Sequence, residues 1–368
     1  MKRLKAFVIF IFLILSTGVS SFSQSGRVNQ RTPSDNEALK VVTEEIRINV
    51  SASTVFGDFV KDIRKEDLVI SDNDVLHQAS SVRRSSPNII VIMDTGGESR
   101  QAKDFKTTQE TAKALIKTLA EDDTIALIEV NDRATILTEW TSDKTVLFSA
   151  IDKQLKFGIR SRFVDALRLA RTFFLKADNE NRHLVLITDG LESVRGEIER
   201  DAAMKRFLET DISVHVVSYT KMEQAVVSER RRSVSAGERR PTPPPGAGVP
   251  VQGQTRPTSV ATVNLDRAMV RKINERGFAL AASEKALNSL TENTNGELLL
   301  PESRQEMIDS MEGLAKLIDS YFVVTYVPKS QLEDAKEGEE RNIEVTSRIS
   351  ALRLQGKRKL IVRKDRTR

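Results

Sequence analysis

Two stretches decide how this chain is read: Asn88-Ile-Ile-Val-Ile-Met-Asp94-Thr-Gly-Gly-Glu-Ser99 and His183-Leu-Val-Leu-Ile-Thr-Asp189-Gly190. Each is an apolar run that ends in an aspartate. A run without polar alternation marks a strand buried on both faces, the habit of a parallel sheet covered by helices. The neighbouring sequence supplies those helices. Thr107 to Leu119 places Ala112, Leu115, Ile116 and Leu119 at helical spacing, and Phe163 to Phe174 and Ala202 to Leu208 are also helical. Thr124 to Val130, Ala134 to Trp140 (after a turn at Asn131-Asp132) and Ile212 to Val217 read as further strands. Strands alternating with helices over residues 87–222 predict an α/β fold, a doubly wound, mostly parallel, Rossmann-like sheet. In such sheets the ligand site lies beyond the carboxyl ends of the strands. Asp94 and Asp189 are therefore the first candidate site residues.

The flanks have a different grain. Ile46, Ile48 and Val50 alternate with polar residues, Asp67 to Ile70 is a short strand, Ser71 to Asp74 forms a turn, and Val75 to Val82 continues as a strand. Residues 39–84 thus form a small β unit. Residues 228–260, with Glu229-Arg-Arg-Arg232, Arg239-Arg240 and Pro241-Thr-Pro-Pro-Pro245, read as a Pro/Arg-rich disordered loop interrupting an α/β domain over 87–320. Beyond it, Ala268 to Leu290 is helical with a break near Gly277. Glu297 to Leu300 is a strand, Ser303 to Ile318 an amphipathic helix and Tyr321 to Tyr326 another strand. Ile343 to Val345 and Lys359 to Val362 give a last strand pair. Residues 321–362 are expected to pair with the N-terminal β unit in a sandwich-like module, ahead of a basic tail over 363–368.

The N-terminus carries an export signal. Lys2, Arg3 and Lys5 precede ten apolar residues, Ala6 to Leu15, and Ser21-Phe22-Ser23 offers a small-x-small cleavage site. The apolar run is too short to span a bilayer, which takes roughly 20 residues. The mature protein is expected in the periplasm or outside the cell, cleaved after Ser23, with residues 24–38 disordered and no membrane span. Removing the signal lowers the net charge from +5 to +2, so basicity gives little support to nucleic-acid binding. The chain has no cysteine, which excludes disulfides, thiolate metal sites and a cysteine nucleophile.

At the two aspartates the chain resembles the von Willebrand factor A domain. That family has a hydrophobic strand ending in D-x-S-x-S, a threonine before a helix, and an aspartate in a TDG turn. Together they build a metal-ion-dependent adhesion site. The resemblance implies a Rossmann-like fold and an adhesion or protein-interaction role. It implies Mg²⁺ as cofactor, held by the oxygen ligands a hard cation takes. Asp94 and Asp189 match the aspartates, and Ser161 falls where the family has its threonine. The two serines fall on Gly96, which has no ligand atom, and Glu98, with Ser99 one residue further on. Arg160 and Arg162 flank Ser161 and oppose a cation. The metal set Asp94, Glu98, Ser99, Ser161 and Asp189 thus reads as a degenerate site. The β flanks, with Leu287 to Gly296 and Tyr321 to Pro328, resemble exported VWFA-related proteins of the Acidobacteria type over roughly residues 40–362.

The function expected is that of an exported, non-enzymatic protein. It binds an unknown protein or cell-envelope partner through the face around Asp94, Glu98, Ser161 and Asp189, with binding that depends little on a metal. The alternative is a Mg²⁺-dependent adhesion protein whose site is rebuilt with Glu98 or Ser99. A remote one is a hydrolase of aspartic-protease type at Asp94-Thr-Gly96, which needs a second such triplet from a dimer. No nucleotide-binding glycine motif and no G-x-S-x-G elbow occurs in the chain.

Overall fold

The computed structural model describes residues 45–97, 103–177, 180–237, 260–330 and 334–363. The expected signal peptide, the segment 24–38, Glu98, Ser99, residues 238–259 and residues 364–368 lie outside the described residues. Among those described, no helix is long and apolar enough to cross a membrane.

The chain enters through β1 (Ile46–Thr54), β2 (Leu68–Asp72), β3 (Val75–His77) and β4 (Ala79–Arg83). The single strand expected over Val75 to Val82 is two. β3 pairs with β2, whereas β4 crosses to pair with a later strand in another sheet. Asn73 and Asp74 make the tight turn before β3 in the left-handed region, at φ 48° and 66°, a conformation that Asn and Asp tolerate.

The α/β domain follows as β5 (Asn88–Asp94), α1 (Phe105–Thr118), β6 (Thr124–Val130), β7 (Ala134–Thr141), α2 (Lys144–Lys153), α3 (Phe163–Lys176), β8 (Arg182–Thr188), α4 (Glu197–Lys205), β9 (Ser213–Ser218), α5 (Thr220–Gly237), α6 (Val260–Thr294), β10 (Leu298–Leu299) and α7 (Arg304–Asp319). Six strands run in the order β10-β9-β8-β5-β6-β7, all parallel except β7. The chain leaves β5 toward β6 on one side and later returns to β8 on the other. The switch point of this sheet therefore lies between β5 and β8. Alternate residues of β5 feed two separate cores. Ile89, Val91 and Met93 pack under α1, α2 and α7, and Ile90 and Ile92 pack under α3, α4 and α6.

Two further sequence expectations are corrected here, and one helix is added. Residues 228–237 continue α5, so the arginine run Arg230 to Arg232 lies on a helix rather than in a loop. Helix α6 runs through Gly277 without a break, because one glycine costs a helix only about 1 kcal/mol and tertiary contacts offset it. Helix α2 was not expected, although Asp143 caps it by accepting from Thr145 and Val146.

The chain ends in β11 (Tyr321–Tyr326), β12 (Glu340–Ser347), β13 (Leu352–Gly356) and β14 (Lys359–Ile361). They join the first strands in two four-stranded sheets, β13-β1-β11-β4 and β14-β12-β2-β3, around Ile48, Val50, Ile70, Val324 and Ile343.

The joint between the two parts is polar and buried. Asn49 donates to the carbonyls of Arg182 and Asp211, and Asn295 donates to those of Asn49 and Gln355. Lys357 donates to the carbonyls of Leu208, Phe207 and Thr210. Burial pushes its pKa down to about 7. Beside them runs a directional chain. The Glu297 amide donates to His215 Nδ1 (3.3 Å), and His215 Nε2 meets His183 Nδ1 (3.0 Å). His183 Nε2 meets Asn181 Oδ1 (2.8 Å), while Asn181 Nδ2 donates to the Ser85 carbonyl. The amide at one end can only donate, and the Asn181 oxygen at the other can only accept. Both tautomers are thereby assigned, and a proton added to either ring has no acceptor. Tyr321 stands edge-on to both rings.

Burial lowers His215 to about 3, and burial followed by His215 lowers His183 well below the usual 6.5. The folded state thus stays uncharged where the unfolded chain takes up protons, so stability falls as pH drops below about 6.5. The expected loss in urea unfolding is up to ~1.4 kcal/mol per pH unit for each histidine, on top of the carboxylate contribution. A double His183→Gln, His215→Gln variant should flatten that part of the profile. An unchanged profile in the variant contradicts the assignment.

Candidate functional site

Asp94 closes β5 and Asp189 follows β8, so the two carboxylates face each other across the switch point. Ser161 arrives from the loop before α3. Its hydroxyl donates to Asp94 Oδ2 at 3.0 Å, and that of Thr188 donates to the same oxygen at 2.6 Å. The amide of Gly96 donates to Asp94 Oδ1 at 3.2 Å. Asp94, Ser161 and Asp189 are therefore gathered at one place, and all three are buried.

The centre of this cluster is occupied by a side chain the sequence reading did not single out. Lys103 lies just before α1, and its Nζ is 2.6 Å from Asp94 Oδ2 and 3.5 Å from Asp189 Oδ1. The lysine side chain is only 4% exposed. A second cation comes from α6, where Arg276 Nη2 is 3.4 Å from Asp189 Oδ2 and also pairs with Glu223 of α5. Ser283 of α6 donates to the Asp189 carbonyl at 2.7 Å. No signal in the sequence marks Lys103 or Arg276. A lysine in a polar loop and an arginine on a charged helix ordinarily face solvent.

The electrostatics follow from burial. Burial opposes the charge on Lys103, but Asp189 and Asp94 outweigh it and raise its pKa. Burial likewise opposes the Asp189 carboxylate, and Lys103 followed by Arg276 outweighs it, holding the carboxyl below its usual range. Asp94 is raised by burial, with Lys103 pulling the other way. At 2.6 Å the Lys103 ammonium is its direct counter-ion. Glu223 is pushed up to about 8 by burial and then by Asp189, so it holds its proton at neutral pH. The cluster then contains two carboxylates and two cations.

Backbone packing accounts for Gly96. A Cβ built there would lie 1.9 Å from the carbonyl oxygen of Arg160, because the loop before α3 presses directly on the loop after β5. Thr95 ties the same loops together, donating from its hydroxyl to the Lys156 carbonyl at 2.6 Å. A serine has no room at position 96.

A cavity of about 270 Å³ opens beside the cluster, lined by Gly97, Ser161, Asp189, Leu191, Glu192, Ser193 and Arg276. Among the described residues, no group of three or more His, Asp or Glu is placed to hold a metal ion.

A sequence profile of the von Willebrand factor type A domain matches residues 89–192. A comparison with curated proteins gives no match. Several solved structures are similar. An aerotolerance-related membrane protein from Bacteroides fragilis is 18% identical, with a TM-score of 0.36, covering 64% of this chain and 99% of its own. A von Willebrand factor type A protein from Catenulispora acidiphila is 10% identical, with a TM-score of 0.42, covering 88% of this chain and 74% of its own. The vWF domain of the type V pili tip protein Mfa5 from Porphyromonas gingivalis is 23% identical, with a TM-score of 0.25, covering 29% of this chain and 38% of its own.

Two substitutions test the geometry. Lys103→Ala leaves buried carboxylates without their counter-ion and is expected to cost about 3–5 kcal/mol in urea unfolding with EDTA present. Added Mg²⁺ or Mn²⁺ should recover part of that loss in the variant. Gly96→Ser restores a serine to the motif but overpacks the loop, so a loss of about 1–3 kcal/mol is expected, with no response to Mg²⁺. A Gly96→Ser protein of unchanged stability would show that the loops are not in contact.

Proposed function

With residues 89–192 a von Willebrand factor type A domain, we propose that this chain is an exported, non-enzymatic protein-interaction module whose metal site is degenerate and whose binding face works without a metal. The observation that carries the reading is Lys103. Its ammonium lies within 2.6 Å and 3.5 Å of the two carboxylates that would hold a cation. The donors do not fit Mg²⁺, because that position already carries a positive charge, and position 96 is closed to a ligating side chain by the Arg160 carbonyl. The lysine supplies the neutralisation that a metal would, fixing the loop after β5 and the loop after β8 in one arrangement.

The same pairing argues against a hydrolase at Asp94. Its Oδ2 already accepts from Lys103, Ser161 and Thr188 and its Oδ1 from the Gly96 amide, which leaves no free carboxylate oxygen to activate a water. Export is supported by the basic and apolar N-terminal stretch from Lys2 to Leu15 followed by small residues.

The test is thermal unfolding of the chain in EDTA, Mg²⁺, Ca²⁺ and Mn²⁺, beside Asp94→Ala. The expected result is one melting temperature in all four solutions for the unsubstituted chain. A rise with Mg²⁺ that Asp94→Ala abolishes would overturn the metal-free reading, since a ligand that binds the native state raises its stability by mass action.

A further inference from the structure

Helices α5 and α6 lie side by side, and the seam between them is not filled. Val226 and Val227 of α5 and Met269 and Ile273 of α6 line a cavity of about 290 Å³. Packed interiors leave few voids larger than a water molecule, and an apolar opening of this size is what a small ligand fits. Its walls are fixed by bonds along the seam. The Thr220 hydroxyl donates to Glu284 at 2.9 Å, Arg276 pairs with Glu223, and Arg231 donates to Asn274. Glu223 and Arg276 close the inner end, where the two helices meet the sheet.

The charge around the opening selects the ligand. Glu223 is the one acid in its lining, and burial and Asp189 keep it protonated at neutral pH. Further out along the helices the lining is completed by Arg230 and Lys272. Lys272 is exposed and makes no ion pair among the described residues. From Gln224 to Glu275 the sequence carries nine Lys or Arg against four Asp or Glu, so the potential there is positive however these side chains pair. An apolar slot under a cationic rim matches a molecule with an apolar body and an anionic head. At ~30 Å³ for each water-sized group, the space takes about ten non-hydrogen atoms, as many as an eight-carbon carboxylate has. The flexible thioether of Met269 lets the slot adapt to its occupant.

We propose that the seam between α5 and α6 binds a small amphiphilic carboxylate of medium chain length, with its alkyl chain among Val226, Val227, Met269 and Ile273 and its carboxylate against Lys272 and Arg230. The ligand is a free small molecule, and its binding needs neither Asp94, Asp189 nor a cation. The proposal therefore stands apart from the metal-free reading. Burial of the alkyl chain supplies the affinity, and the cationic rim fixes which end of the molecule stays outside.

The test is calorimetric titration of the full chain at neutral pH with octanoate and with octylammonium, which has the same tail and the opposite charge. Two variants are titrated beside it: Lys272→Glu, which reverses the rim, and Val226→Trp, which fills the slot. Octanoate is expected to bind saturably at one site and octylammonium at least about tenfold more weakly. Lys272→Glu should weaken octanoate by a similar factor, and Val226→Trp should abolish its binding. Melting temperatures report whether each variant is folded. Lys272 is exposed, so its reversal and the octylammonium arm decide the matter even if Val226→Trp fails to fold. Octanoate added to the chain labelled at its methionine methyls should shift the Met269 signal. The proposal is overturned if octanoate does not bind saturably, if octylammonium binds as tightly, if folded variants bind like the parent, or if the Met269 methyl does not move.

Discussion

Two carboxylates buried at the end of a parallel sheet cannot stand alone, and that constraint organises the rest of this molecule. The cost of an isolated buried charge far exceeds any gain from packing around it. Asp94 and Asp189 sit at the switch point because the strand order turns there, and their charges must be met from within or from solution. This chain meets them from within. Lys103 reaches back from the start of α1, Arg276 reaches over from α6, and Glu223 keeps its proton. The result is a set of fixed charges where a cation-binding domain would exchange an ion with its surroundings.

The choice has structural consequences. Helices α5 and α6 are bound to the site, through Arg276 to Asp189 and Glu223, through Ser283 to the Asp189 carbonyl, and through Thr220 to Glu284 at 2.9 Å. The loop before α3 can lie against Gly96 because no ligating side chain needs the space. At the opposite end of the sheet, the polar joint with the β module is built from buried side-chain donors directed at backbone carbonyls, with His183 and His215 held neutral beside them. One end of the domain is thus set by charge pairing and the other by directional hydrogen bonds.

Much of this was legible in the sequence, for physical reasons. Unbroken apolar runs announced the buried strands, and their terminal aspartates announced the switch point. Ser161 was placed beside them by the resemblance to the von Willebrand factor A domain, at the position of that family's threonine. Lys103 and Arg276 could not, because a cation's pairing is a tertiary fact. One lies in a loop without periodicity and the other on a helix many residues from its partner. The arginine run at 230–232 looked like solvated loop because charge masks helical spacing, and Gly277 looked like a break because local propensity says nothing of the partner α6 packs on. The strand Leu352–Gly356 passed unnoticed because its alternation is carried by only two leucines, Leu352 and Leu354.

The account stands or falls on what occupies the space between Asp94 and Asp189. The most direct measurement is anomalous X-ray scattering from crystals of this chain grown or soaked in Mn²⁺. The prediction is no manganese peak between the two carboxylates and density for the Lys103 ammonium bridging them. A manganese peak at that position, with Lys103 turned away toward solvent, would contradict it.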